Sequence, residues 1–234
     1  MTTPLPDAAL LAWWSTAWLR GRVVTDLLLD ALGDASPGGL LDLLVEVRRA
    51  GATGAGLALP VEGDPLGLGG PRAFNDAALT AGSAVVFAEA RTGLVPEGRD
   101  GYVAWHRFPV EPRQLPDVGE ADRGLRRALT TTANTLADLD VARWRPEVAD
   151  ELMDLRRPAP IDPPPPGTPP LCAQLAVRGL QAVGIVKLAL DDDGAAVSAY
   201  EISIRRDALR PLEHASRRAL VAACSPEVWP PAVG

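Results

Sequence analysis

Lysine is almost absent from this 234-residue chain: Lys187 stands alone, and nearly all of the 23 basic residues are arginine. Cysteine is limited to Cys172 and Cys224, which excludes a disulfide framework. Histidine is limited to His106 and His214, and no Cys or His pair stands at ligand spacing, so no metal site is expected. No apolar run approaches the roughly 20 residues that span a bilayer. The most apolar window, residues 171–190, is broken by Gln174, Arg178, Gln181 and Lys187, so no membrane partner is expected. Positive charge is also in deficit, with 30 acidic residues and a net charge of −7, which argues against a general nucleic-acid binder. A hydrophobic content of 47% excludes a disordered chain. Phe and Tyr are few, three and two, whereas Trp occurs six times. These absences bound the activity without naming one.

What is present begins with helices. Leu10, Trp13, Trp14, Ala17 and Trp18 fall at i, i+3, i+4, i+7 and i+8, one wide apolar stripe on a helix over residues 7–19. Gly21 ends it, Thr25 is a suitable N-cap for a short helix to Gly33, and Leu40, Leu43, Leu44 and Val47 share a face of a third. Arg48 and Arg49 in its last turn complement the helix dipole. Residues 53–59 and 84–89 then read as strands around a helix that Pro71 opens and Gly82 caps, a parallel βαβ unit. The run Arg-Thr-Gly-Leu-Val-Pro-Glu-Gly reads as a connection, and residues 102–110 as an antiparallel third strand.

Leu125, Leu129, Thr132, Leu136 and Leu139 mark a helix that pairs with a second, opened by Pro146 and Glu147 and carrying Val148, Leu152 and Leu155. Eight prolines within residues 158–170 predict a polyproline II connector. Beyond it come a helix over 171–182, strands over 183–190 and 195–204 around an Asp-Asp-Asp-Gly turn, and a helix over 210–224. The fold class is therefore α+β: a small mixed β-sheet flanked by helices, a helical N-terminal third and a C-terminal α-β-β-α section. The expected organisation is a domain over 1–157, a linker over 158–170 and a second section over 171–234 that can pack with the first.

The leading candidate for chemistry is the segment 64–75, which runs from a strand end to a helix start, where backbone N–H groups can receive an anion. Asp64, Gly67, Gly69, Gly70, Arg72 and Asn75 are its candidate ligand-binding residues, with His106 beside the pocket. The pattern departs from known phosphate loops: Pro71 and Arg72 stand where a Walker loop needs Lys and Ser or Thr, and a dinucleotide fingerprint needs glycine at Arg72. A glycine-rich turn in which the chain doubles back is the simpler reading. Tyr102, Ala104, His106 and Phe108 share one strand face, with no nucleophile near His106 in sequence, so no catalytic residue is assigned. Asp150 and Asp154 are i, i+4 neighbours that suit a hard cation, but Arg143, Arg145, Arg156 and Arg157 flank them as on a solvated helix face. Arg205, Arg206, Arg210, Arg217 and Arg218 alternate with carboxylates and read the same way. No cofactor is expected.

Trp13, Trp14, Trp18 and Trp229 are the candidate partner-binding residues, three on one helix and one on the C-terminal tail. The expectation is thus a non-enzymatic interaction or regulatory protein with a protein partner or a second copy of itself. The alternative is a small-molecule enzyme or sensor that takes a phosphorylated ligand or nucleotide at 64–75. The opening Met-Thr-Thr-Pro-Leu-Pro-Asp lacks the basic region of a secretory signal, and two reduced cysteines suit the cytoplasm.

Gly63-Asp64-Pro65-Leu66-Gly67-Leu68 with Phe74 and Asn75, the run at residues 115–123 (Leu-Pro-Asp-Val-Gly-Glu-Ala-Asp-Arg) and the run at 140–150 resemble a family of uncharacterised proteins from GC-rich actinobacteria. The resemblance spans roughly the first two thirds of the chain. It implies a cytoplasmic bacterial origin and brings no activity or site with it.

Overall fold

The computed structural model describes residues 5–33, 39–99, 102–138, 163–190 and 199–231. Three helices open the chain, α1 (Asp7–Leu19), α2 (Thr25–Leu32) and α3 (Leu40–Arg49). Strand β1 (Gly56–Ala58), helix α4 (Arg72–Ala81) and strands β2 (Ala84–Phe87), β3 (Thr92–Arg99) and β4 (Tyr102–Pro109) follow. Helices α5 (Val118–Asp138), α6 (Pro170–Leu190) and α7 (Ala199–Ala223) and a 3-10 turn at Pro226–Val228 complete the described elements. The architecture is α+β.

The sheet has the order β1-β2-β3-β4 and every pair is antiparallel, so it is not mixed. The expected parallel βαβ unit is absent because the glycine-rich loop returns before α4 begins. Leu59 N–H donates to the Leu66 carbonyl and Val61 bridges Asp64, which brings Gly67 back against the Ala58 backbone. Helix α4 then delivers the chain to the far end of β1, and β2 descends beside it, Gly56 opposite Val86 and Ala58 opposite Ala84.

Strand β3 lies where a connection was expected. Pro96 sits beyond the reach of β2, which pairs β3 only at residues 92–94, so its missing N–H breaks no ladder on that side. Gly93 is a packing requirement: a Cβ there would lie 2.6 Å from both Phe74 Cε2 and Val110 Cγ1.

The sheet's two faces have different neighbours. Ala58, Val86, Val95 and Phe108 pack with Phe74 and Ala78 of α4. Leu57, Val85, Phe87, Leu94 and Trp105 face the main core, which draws on α1, α2, α3, α5, α6 and α7. That single cluster joins residues from Ala8 to Cys224.

The expected strands at 183–190 and 195–204 are corrected: α6 runs unbroken to Leu190, and residues 199–204 open α7. Val183, Ile185 and Val186 have the β-branched character of a strand, yet the buried positions Cys172, Leu175, Ala176, Leu180, Ala182, Val186 and Ala189 keep a helical period throughout. Gly179 lets α6 approach α7 closely, since a Cβ there would sit 3.1 Å from Leu220 Cγ. The Asp191–Asp193 turn, the helix expected from Pro146, the Asp150–Asp154 pair, Trp144 and prolines 158 and 160 lie outside the described residues. Prolines 163–166 and 169 lie outside any helix or strand, while Pro170 begins α6. No helix among the described residues is long and apolar enough to cross a membrane.

Candidate functional site

The loop at 64–75 uses its polar groups internally. Gly70 N–H donates to Asn75 Oδ1 at 3.1 Å, and the Gly70 carbonyl accepts from Glu111 N–H. The Gly67 carbonyl and the outward-facing Leu57 carbonyl of β1 both accept from Arg113 Nη1, at 3.1 and 3.0 Å. Arg113 is nearly fully buried and its Nη2 meets Glu227 Oε1 at 2.7 Å. A second arginine repeats the device: Arg217 Nη1 donates to the Leu59 carbonyl and its Nη2 to Asp64 Oδ2 at 2.8 Å. The exposed edge of β1 is thus closed by two guanidiniums, along with the Cys224 carbonyl and Ser225 Oγ, which take the Leu57 N–H. Gly69 fits because a Cβ would lie 2.4 Å from the Pro112 carbonyl oxygen. Arg72 projects into solvent and pairs with Asp76, one turn along α4. His106 is half-exposed on β4, its Nε2 2.7 Å from Glu97 Oε2 on β3.

The tryptophans are placed mainly by the core. Trp13 and Trp18 are buried, and Trp14 and Trp229 pack against them from partly buried positions. The Trp13 and Trp229 indole N–H groups both donate to the Ala223 carbonyl, at 3.1 and 2.9 Å, satisfying an acceptor at the C-terminal end of α7. Trp18 donates to Thr25 Oγ1 while Arg48 lies over its ring at 4.3 Å. Arg20 lies over Trp229 at 5.4 Å.

Asp64 leads away from the loop to a different place. Its Oδ2 lies 3.1 Å from His214 Nδ1 on α7, and His214 lines a groove of about 420 Å³ between α5 and α7. Glu120, Arg123, Gly124, Arg127, Ala128 and Thr131 form one wall, spaced i, i+3, i+4, i+7, i+8 and i+11 along α5. Pro211, His214, Ala215 and Arg218 form the other, at i, i+3, i+4 and i+7 along α7. Ala121, Gly124, Ala128 and Ala215 make a floor of small side chains, and Arg123, Arg127, Arg218 and His214 stand around it.

These guanidiniums differ from those held in ion pairs. Among the described residues, Arg107 pairs with Glu46, Arg113 with Glu227, Arg210 with Asp207 and Arg217 with Asp64, and Asp122, buried beneath α5, holds both Arg126 and Arg178. Arg123, Arg127 and Arg218 have no acidic partner among the described residues. The residues around this groove were legible only as separate i, i+4 pairs, Arg123 with Arg127 and His214 with Arg218. Each alone matches a solvated helix face, and only the packing of α5 on α7 brings them together.

Both cysteines are free and buried. Burial pushes the Cys172 thiol from 9.0 up to about 11, and burial together with the neighbouring Cys172 pushes Cys224 higher still. Neither has the low-pKa thiolate of a nucleophile. Among the described residues no group of three or more His, Cys, Asp or Glu side chains is placed to hold a metal ion.

Fold and groove together define an α+β protein whose antiparallel sheet is covered by helices and whose α5–α7 face carries a basic groove. Two family profiles meet at the start of α5: the N-terminal domain of Rv1486c-like proteins matches residues 8–120, and the C-terminal domain matches 119–221. The chain belongs to this family of actinobacterial proteins. It is similar to "Uncharacterized protein Rv1486c" of Mycobacterium tuberculosis strain H37Rv, 28% identical over 205 residues that cover 63% of this chain and 71% of the relative. "Uncharacterized protein MT1533" of strain CDC 1551 matches with the same identity and coverage. No solved structure matches the chain significantly.

Proposed function

We propose that this protein is a non-catalytic binding or regulatory protein of the cytoplasm, and that it takes an anionic partner in the groove between α5 and α7. One observation carries the reading: three arginines without acidic partners among the described residues, on two helices, face one groove in a chain of net charge −7. Placing like charges together costs stability in the free protein, and an incoming anion relieves that cost. Asp64 supports the arrangement by holding the His214 ring through Nδ1 at 3.1 Å. The tryptophans contribute to the core and carry no part of this reading. The free, buried thiols suit a reducing compartment.

The test is titration of poly-glutamate into the wild type and into Arg123→Ala/Arg127→Ala/Arg218→Ala, read by calorimetry at low and high salt. Saturable binding that weakens with salt and falls at least tenfold in the triple variant is expected. Equal binding by the two proteins overturns the proposal.

A further inference from the structure

The groove's dimensions and lining narrow the kind of anion. Residues 120 to 131 span about 16 Å of helix axis, and Arg123 and Arg127 are offset by about 6 Å along it. A single phosphate would engage only part of such a row. The N-terminus of α5 is not open to a phosphate either, because Asp117 Oδ1 already accepts the Glu120 N–H at 2.9 Å. Among the described residues no Phe, Tyr or Trp lines the groove, which leaves a nucleobase only the His214 imidazole and the guanidinium planes to stack on. A helix of that length is about 10 Å across. An extended chain is slimmer. Its side chains at i and i+2 point the same way about 6.6 Å apart, which matches the offset of Arg123 and Arg127.

The walls also give the groove a direction. Glu120 stands at one end, one turn before Arg123, so charge along α5 runs negative, positive, positive. Arg218 and His214 face this row from α7. A ligand with two carboxylates and a basic residue beyond one of them complements the whole sequence of charges.

We infer that the groove's occupant is an extended acidic segment of a partner protein, with carboxylates at alternate positions and a basic residue at the end that meets Glu120. The inference rests on the anion-binding role proposed for this groove and adds the ligand's class, spacing and orientation. Binding is held by side chains alone, since the backbone of both walls is committed to helix, so charge order determines specificity. Arg127 meets one carboxylate of the pair, Arg123 the other, and Glu120 the basic residue.

The experiment is fluorescence anisotropy on the whole protein with labelled octapeptides. One carries Lys, Glu and Glu at alternate positions separated by Gly and Ser; a second has the same composition with the Lys and the middle Glu exchanged; inorganic pyrophosphate and a single-stranded oligonucleotide serve as competitors. The ordered peptide is expected to bind at least fivefold more tightly than the exchanged one, and Glu120→Gln, which keeps a side chain suited to the first turn of α5, is expected to abolish that preference while leaving the melting temperature unchanged. Arg127→Glu is expected to weaken both peptides at least tenfold. Equal binding of the two peptides, with both lost in Arg127→Glu, overturns the inference while leaving the anion groove standing. Displacement by pyrophosphate or oligonucleotide at concentrations below that of the competing peptide overturns it in favour of a phosphate-bearing ligand. Failure of every anion to bind overturns both.

Discussion

The loop at 64–75 and the groove between α5 and α7 are both arginine-rich places joined by one carboxylate, Asp64, and they treat charge in opposite ways. At the loop, Arg113 and Arg217 are mostly buried, and each turns its terminal nitrogens to the backbone and one acid, while its buried Nε has no hydrogen-bond partner among the described residues. Glycines at a strand-to-helix junction are the pattern that suggests a ligand, and here much of the polar surface goes to these internal contacts. At the groove, Arg123, Arg127 and Arg218 have no acid among the described residues and a floor of small side chains between them. A guanidinium bonded to backbone carbonyls and an acid holds a fold together, while one without an acidic partner at a concave surface is available to a ligand.

The largest effect that separates the two regions is structural. Gly69→Ala forces a Cβ to 2.4 Å from the Pro112 carbonyl oxygen, and the neighbour is backbone that cannot swing aside. Loss of about 3 kcal/mol in urea unfolding is expected. A loss below about 0.5 kcal/mol would show the loop to be loosely held and would return it to consideration as a binding element.

A smaller effect concerns the packing on which the loop side rests, where the Cys224 carbonyl takes the Leu57 N–H. Because the folded Cys172 thiol titrates at about 11 instead of 9.0, and Cys224 higher still, the folded chain retains protons that the unfolded chain releases. The stabilisation is fully present below pH 9.0 and is lost as pH rises toward 11. The urea midpoint is expected to fall across that window and to hold steady in Cys172→Ala/Cys224→Ala, whose lower starting stability is a separate matter. A midpoint that declines equally in the double variant would assign the effect to other groups.

The smallest effect lies at the groove. Arg123→Ala and Arg127→Ala remove exposed side chains with no acidic partner among the described residues, so stability is expected to stay within about 0.5 kcal/mol of the wild type. A clear loss by thermal melting would mean that these arginines support the fold after all, and the contrast with Arg113 and Arg217 would close.

Much of this fold is legible in the sequence wherever one local pattern decides the outcome. Leu40, Leu43, Leu44 and Val47 mark α3, because a helix with one buried face writes its period into the chain. Leu10, Trp13, Trp14, Ala17 and Trp18 also mark α1, although that helix is buried on nearly every side and Leu10 and Trp14 are among its less buried residues. Strand β3 is hidden because Gly93 and Pro96 are turn residues by habit, whereas here one makes room for Phe74 and the other lies past the end of β2. The end of α6 is hidden because Val183, Ile185 and Val186 favour strands locally, and packing against α7 overrides that preference. The groove is hidden for a third reason. Asp64 and His214 are 150 positions apart, and the arginines of α5 and α7 gain meaning only when the two helices meet. Asp64 itself was a candidate, though for the loop it begins and not for the histidine it holds.

The most direct measurement is a map of amide chemical shifts in the labelled full-length protein during titration with the ordered acidic peptide. The account predicts shifts concentrated at residues 120–131 of α5 and 212–218 of α7, with residues 67–75 unmoved. Shifts concentrated at residues 67–75, with α5 and α7 silent, would contradict it.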